Sequence, residues 1–357
     1  MDKIFCPGAP YGLKLAQCVI TYLLWDILYT CINVPYGSLQ SVITADSVER
    51  AELSRYRSIG AMLAQLPLGI ILPMVIYVNN NPSGPRFTLV GIVLGAISLV
   101  AFIILYKFSV ERIKNVAEDK KQEKYNYFKT MKAFFKNRPV MGVTIASVSM
   151  LIFFYSTSTM NQYVFITYFK QPELLSLGAL VTMGPTLISV LFVKKAVEKW
   201  GKKNISSWPF LGAIAAYLLL LLPIKNPYIW FLLQGIAGLM AGFFNLLVWA
   251  LVADCIDYQE YQTGRREEGS IYATYSLFRK IAQGVGASLI SFLLAAAGYH
   301  SSLQADQLPG VPERIRLIAV LLPLIGSILT FISMKFIYNL NEDKLTEINK
   351  KLGHTME

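Results

Sequence analysis

Apolar residues in this chain come in long blocks rather than in the short periods of an amphipathic soluble domain. Nine blocks stand out, over residues 14–43, 59–78, 87–106, 139–168, 174–192, 205–222, 228–253, 270–297 and 315–338. A run of about 20 apolar residues is the length of a membrane-spanning helix. The pattern predicts an all-α, polytopic membrane helix bundle of about nine transmembrane helices. Asn, Pro and Gly mark the turn at residues 79–86, and Pro35 and Pro185 fall inside spans. A long polar segment, 107–138, carries ten Lys or Arg against four acids and reads as a surface loop linking two bundles. The predicted organisation is a partial N-terminal bundle at 1–106, that loop at 107–138, a six-helix bundle at 139–338 and a cytoplasmic tail at 339–357.

Composition sharpens this. The chain is 54% hydrophobic and only 15% charged, against about 25% charged in an average soluble domain. A net charge of +11 raises nucleic acid as a partner, but basic residues collect in the cytoplasmic loops of membrane proteins. Alternating the loops between two sides places 24 Lys or Arg on one side and seven on the other. That skew predicts a multi-pass protein of the cell membrane with its C-terminus in the cytoplasm. The start then lies outside, with no basic-then-apolar signal segment before it, and an odd number of helices is expected upstream. Cys6, Cys18, Cys31 and Cys255 lack metal-site or disulfide spacing, and the histidines are only His300 and His354. No HExxH, GxSxG or nucleotide-binding glycine loop appears, so an enzyme is not expected, nor a cofactor or a bound metal.

Ionic residues within the apolar blocks carry the candidate chemistry. Arg279 and Lys280 interrupt the eighth predicted span. Lys280 lies about 15 Å along that helix at 1.5 Å per residue, near mid-membrane, where an ionisable group marks a functional site or pairs with a buried acid such as Asp26. Asp26 sits one heptad before Asn33 on a similar helix face and is a candidate cation or proton site. The aromatic residues, Trp25, Trp230 and Trp249 among them, fit sugar stacking or an interfacial belt.

Two polar corners share one pattern, ITADSVERAELSRYRSIGAM and LVADCIDYQEYQTGRREEGSIYATYSLFRKIAQG. Each opens Ala-Asp, adds acids and ends in arginines before a new helix. They lie six spans apart on the same side, as in transporters built from two six-helix repeats. The candidate cytoplasmic gate is therefore Asp46, Glu49, Arg50, Arg57, Asp254, Asp257, Glu260, Arg265 and Arg266. The alternative for these charges is an ordinary solvated loop.

The stretches NVPYGSL, ITAD and LSRYR, with ADCIDYQEYQTGRREEGSIYATYSLFRKIAQGVGA, resemble the glycoside-pentoside-hexuronide:cation symporter family, the sodium/melibiose branch of the major facilitator fold. The likeness runs from about Tyr22 to Lys344. It implies uptake of a sugar or glycoside coupled to sodium or a proton, by alternating access, in a protein expected to be monomeric. It implies a chain that starts just before the family's fourth helix, without the three helices whose acids bind the coupling cation. It places Lys280 near the sugar and cation sites, and Asn33 and Tyr36 on the sugar cavity. The melibiose branch has aspartate at the Asn33 position and tryptophan at the Gly37 and Asn245 positions. These departures, and the NVPYGSL form, point to a pentoside- or hexuronide-like substrate. The expected substrate set is Asn33, Tyr36, Asn245 and Lys280, and the expected coupling pair is Asp26 with Lys280. The alternative reading is an N-terminally truncated, inactive fragment.

Overall fold

A computed structural model describes residues 10–44, 46–78, 81–82, 84–110, 131, 134–171, 174–264, 268–300, 303 and 305–353. Ten α-helices make up the described chain: α1 Tyr11–Ile43, α2 Ser47–Ile76, α3 Gly84–Phe108, α4 Arg138–Thr167, α5 Leu175–Ile205, α6 Pro209–Leu220, α7 Pro227–Thr263, α8 Glu268–Ala297, α9 Val311–Ile332 and α10 Glu342–Leu352. A π turn, Ser333–Ile337, ends α9. One two-residue ladder, Tyr77–Val78 against Asn81–Pro82, closes the turn between α2 and α3. In hydrocarbon the backbone must satisfy its own hydrogen bonds, which is why long apolar runs become helices.

Five of the helices, α1, α3, α7, α8 and α9, have stretches long and apolar enough to cross a membrane. Shorter apolar stretches fill Arg138–Phe153 of α4 and Pro209–Leu220 of α6. Residues 59–76 of α2 and 175–192 of α5 carry no charged side chain. The nine predicted spans thus correspond in order to α1–α9.

The boundaries differ from expectation in one consistent way. Much of each polar corner is helical rather than loop among the described residues. The α2 helix begins at Ser47, so the corner from Val48 to Ser58 forms its first turns. At the equivalent place α7 runs on to Thr263, ten residues past the predicted end. Likewise α5 continues into its basic hinge as far as Trp200, before Gly201 at φ 76° breaks it ahead of a last turn to Ile205. Charged side chains outside the apolar stretch keep good helix propensity, so nothing stops these helices at the membrane edge. What ends α7 is Gly264, left-handed at φ 66°, whose amide bonds back to Glu260. Of the loop expected at 107–138, residues 111–130 lie outside the described residues.

Helices α4–α9 pack on one another and hold most of the buried core, including Trp230, Phe165, Phe210, Phe244, Tyr272 and Tyr275. On the other side, α1 and α2 lie against α5, α7 and α8. The apolar stretches of α1 and α3 are not buried at all. Leu23, Leu28, Ile92 and Ile97 are among their exposed side chains. Only hydrocarbon or another apolar helix satisfies such a surface.

One buried arginine shows how polar ends are managed. Arg316 on α9 donates to the carbonyls of Leu220 at 3.0 Å, Leu222 at 2.9 Å and Leu221 at 3.3 Å, the last turn of α6. The carbonyls of Leu220, the last residue of α6, and of Leu221 have no partner in that helix, the Leu222 carbonyl also accepts from the Ile224 amide at 2.7 Å, and a cation suits the negative end of the helix dipole. Arg316→Met should destabilise the bundle by about 2–3 kcal/mol. We expect the apparent melting temperature in detergent to fall by roughly 5 °C, with Arg316→Lys in between. An unchanged melting curve for both variants would refute the capping role.

Candidate functional site

The site is a column of polar contacts where α1 and α2 meet α7 and α8. It has three levels.

The first is ionic and dry. Asp254 and Asp257 are three residues apart on α7 and so share a face. Both reach Arg50 of α2: its Nη1 donates to Asp254 at 3.3 Å and also contacts the Asp257 carboxylate. The Nε of Arg50 donates to the Thr44 carbonyl at 2.8 Å. Arg50 and Asp257 are 0% exposed and Asp254 1%. Burial alone disfavours the Arg50 charge, but Asp257 and Asp254 outweigh it and hold the guanidinium more firmly protonated than usual. A second cation, Lys202 of α5, pairs with the other oxygen of Asp254. It gets there because Gly201 breaks the helix at φ 76°. There the Lys202 amide donates to Glu342 of α10 at 3.0 Å, and a Cβ on Gly201 would lie 3.1 Å from that side chain. Nearby, Asn137 caps α4 and donates to Gln259 of α7 at 2.8 Å.

The second level is aromatic and cationic. The Arg57 guanidinium sits 3.9 Å from the Trp249 ring centre and 4.7 Å from Tyr36, and donates to the Tyr272 hydroxyl at 2.8 Å. Trp249 stacks on Tyr272 at 5.5 Å. Arg279 lies 5.0 Å from Trp249 and donates to Tyr275 at 3.1 Å, and Tyr275 in turn bonds Ser147 at 2.8 Å. Cations over aromatic faces are favoured by the ring quadrupole, more so away from water. The close approach needs Gly37, because a Cβ there would fall 1.7 Å from the Tyr272 ring.

The third level is partly exposed. Lys280 of α8 donates to Asp26 at 2.7 Å and to Thr30 at 2.9 Å, with its ammonium 5.2 Å from the Tyr29 ring centre. Lys280 is 31% exposed and Asp26 40%, so the pair is only partly enclosed by the protein. Asn33 and Asn245 are half-buried and make no side-chain hydrogen bond among the described residues. Each amide is left with both a donor and an acceptor to offer.

The predicted gate is therefore divided. Arg50, Asp254 and Asp257 come together. Asp46 instead caps α2, accepting from Val48 at 2.9 Å and Glu49 at 2.8 Å, and Glu49 accepts from Thr44 at 2.6 Å. Both sit at a helix N-terminus, where an anion is locally favoured. Arg57, expected in the gate, belongs to the aromatic level two turns along α2, because its neighbours across the seam are rings rather than acids. Glu260 is half-buried one turn beyond Ile256 on α7, and Arg265 and Arg266 lie outside the described residues. Lys202 was not expected. Its only signal was a basic hinge, and its reach depends on the Gly201 break. Nor was the Lys194–Glu52 pair, 2.8 Å apart between α5 and α2.

Helices this long and apolar define a multi-pass membrane protein. Residues 4–342 match the family described as MFS/sugar transport protein, and the chain belongs to that family. It is 28% identical over 342 residues to the uncharacterized symporter YjmB of Bacillus subtilis, covering 95% of this chain and 73% of that protein. It is 29% identical over 342 residues to the glucuronide carrier protein homolog of Escherichia coli, with the same coverage. It is 27% identical over 341 residues to the isoprimeverose transporter of Lactiplantibacillus pentosus, covering 92% of this chain and 69% of that protein. These relatives are transporters and not enzymes, and sugar transport is the common activity of the family.

Removing Arg50 should open the ionic level. Breaking one side of a buried ion pair costs about 3–5 kcal/mol. Cys255, beside Asp254, is buried. In a background with Cys6, Cys18 and Cys31 changed to Ser, Arg50→Ala should speed maleimide labelling of Cys255, and Arg55→Ala should not. Equal labelling rates would rule out Arg50 as the closure.

Proposed function

We propose that this chain carries a sugar or glycoside, pentoside- or hexuronide-like, through the seam by alternating access, coupled to a sodium ion or a proton. The observation that supports this most directly is the Lys280–Asp26 pair. It is ionic, partly exposed and midway along α8, where a charge within an apolar helix is by default a functional group. A cation or proton at Asp26 would weaken its hold on Lys280, and the freed ammonium could then meet a sugar oxygen. Asn33 and Asn245 add amides that bond hydroxyls in both directions. Tyr36, under Arg57, joins the wall between this cavity and the aromatic level.

The ionic level is the closed end of the path. Its side is the cytoplasm on the distribution of basic residues, with the C-terminus inside. Relatives named as a glucuronide carrier and an isoprimeverose transporter support the substrate class. A conformational cycle follows: the cluster of Arg50, Asp254, Asp257 and Lys202 separates when the seam opens, and reforms when it closes.

Uptake of labelled pentosides and glucuronides into vesicles, with and without imposed sodium or proton gradients, tests the proposal. Lys280→Ala should abolish gradient-driven uptake while membrane insertion stays normal. Asn33→Ala and Asn245→Ala should each raise KM by about five- to tenfold, the loss of one or two neutral hydrogen bonds. Uptake that ignores every gradient would overturn the coupling, and normal coupled uptake by Lys280→Ala would overturn the role of that residue.

A further inference from the structure

A second polar feature lies outside the seam, on the same end of the molecule as the ionic level. Four basic side chains from four segments converge there. Arg138 opens α4, and its Nη2 donates to the Phe336 carbonyl of the π turn at 2.8 Å. Lys335 is the preceding residue of that turn, and its ammonium lies 4.3 Å from the Trp208 ring centre, at the start of α6. Lys203 follows Lys202 beyond the Gly201 break. Lys344 of α10 reaches over Tyr258 at 5.1 Å.

No carboxylate pairs with any of the four among the described residues. Glu342 is turned to the Lys202 amide, and of the two acids flanking Lys344, Asp343 makes no ion pair with it and Glu347 pairs with Lys351 instead. Burial, followed by the charges of Lys335, Arg138 and Lys344, holds the Lys203 ammonium below the usual lysine range. Like charges gathered with no carboxylate in ion-pair contact repel one another, and an anion would relieve them.

The surroundings say which anion. Trp208 is half exposed and packs edge-on to Phe331 of α9 at 6.2 Å, so α6 and α9 meet beside the cluster. From there an exposed apolar strip runs along both helices through Phe336, Ile332, Leu329 and Leu211. A tryptophan between a basic cluster and an apolar surface is the arrangement found at a membrane interface. Basic pockets between helices at that depth recognise lipid headgroups.

We propose that this corner binds an anionic phospholipid. The phosphate sits among Arg138, Lys203 and Lys335, and the acyl chains lie on the strip formed by α6 and α9. Charge complementarity selects the headgroup, and the strip selects a lipid over a free anion.

The full chain in detergent tests this by titration with phosphatidylglycerol, read by native mass spectrometry and by thermal protection. Phosphatidylcholine of the same chain length and glycerol phosphate without chains are the comparisons. We expect phosphatidylglycerol alone to be retained and to raise the melting temperature. Lys203→Gln with Lys335→Gln should weaken its apparent affinity about tenfold or more. Lys195→Gln with Lys199→Gln removes the same charge elsewhere on α5 and should leave it unchanged. The site is wrong if both pairs lose affinity equally, or if neither does. Equal protection by glycerol phosphate would also overturn it, by showing a free-anion site instead of a lipid site.

Discussion

Arg50 is the interaction on which the rest of the seam depends. Its guanidinium is withdrawn from water and held by two carboxylates of a different helix, with a backbone carbonyl accepting from its Nε. Such an arrangement is strong only as a whole, because any one member left alone is an unpaired buried charge. That makes it suited to a contact with two states: fully made and dry, or fully broken and hydrated. Lys202 belongs to the same logic. It supplies the second cation, so two positive and two negative groups balance in a space without solvent.

Above this cluster the physical character changes within two turns of α2. Arg57 meets rings where Arg50 meets acids. Cation–ring attraction is weaker and less directional than a buried ion pair. The aromatic level can therefore slide and restack while the ionic level snaps. At the far end, the Lys280–Asp26 contact is only partly enclosed by protein. Three kinds of electrostatic contact thus follow one another along one seam, from a fully buried ionic cluster to a partly exposed pair.

The basic corner at α4, α5, α6 and the π turn sits next to this machinery without belonging to it. Lys202 and Lys203 are adjacent, yet the Gly201 break sends one toward Asp254 and leaves the other with the cationic group. One turn of chain thus faces the buried ionic cluster on its inner side and the basic corner on its outer side.

Much was legible from residues alone. Nine apolar blocks dictate nine helices, because hydrocarbon leaves the backbone no other way to satisfy its hydrogen bonds. Lys280 was conspicuous because charge within an apolar block is expensive, and Asp26 was its nearest candidate in kind. The paired corners were visible because Ala-Asp followed by arginines occurs twice. What the order of residues could not determine was which charges cross the seam. Asp46, Glu49, Arg50 and Arg57 look equivalent in sequence. Helix geometry separates them, turning the first two to the start of α2, the third to Asp254 and Asp257, and the fourth to Trp249. Lys202 was invisible for a related reason, since its partner lies 52 residues away and is reached only through one left-handed glycine. Hydrophobic burial is a property of each segment and can be read locally. Ion pairing between helices depends on rotation and register, which only the packed structure decides.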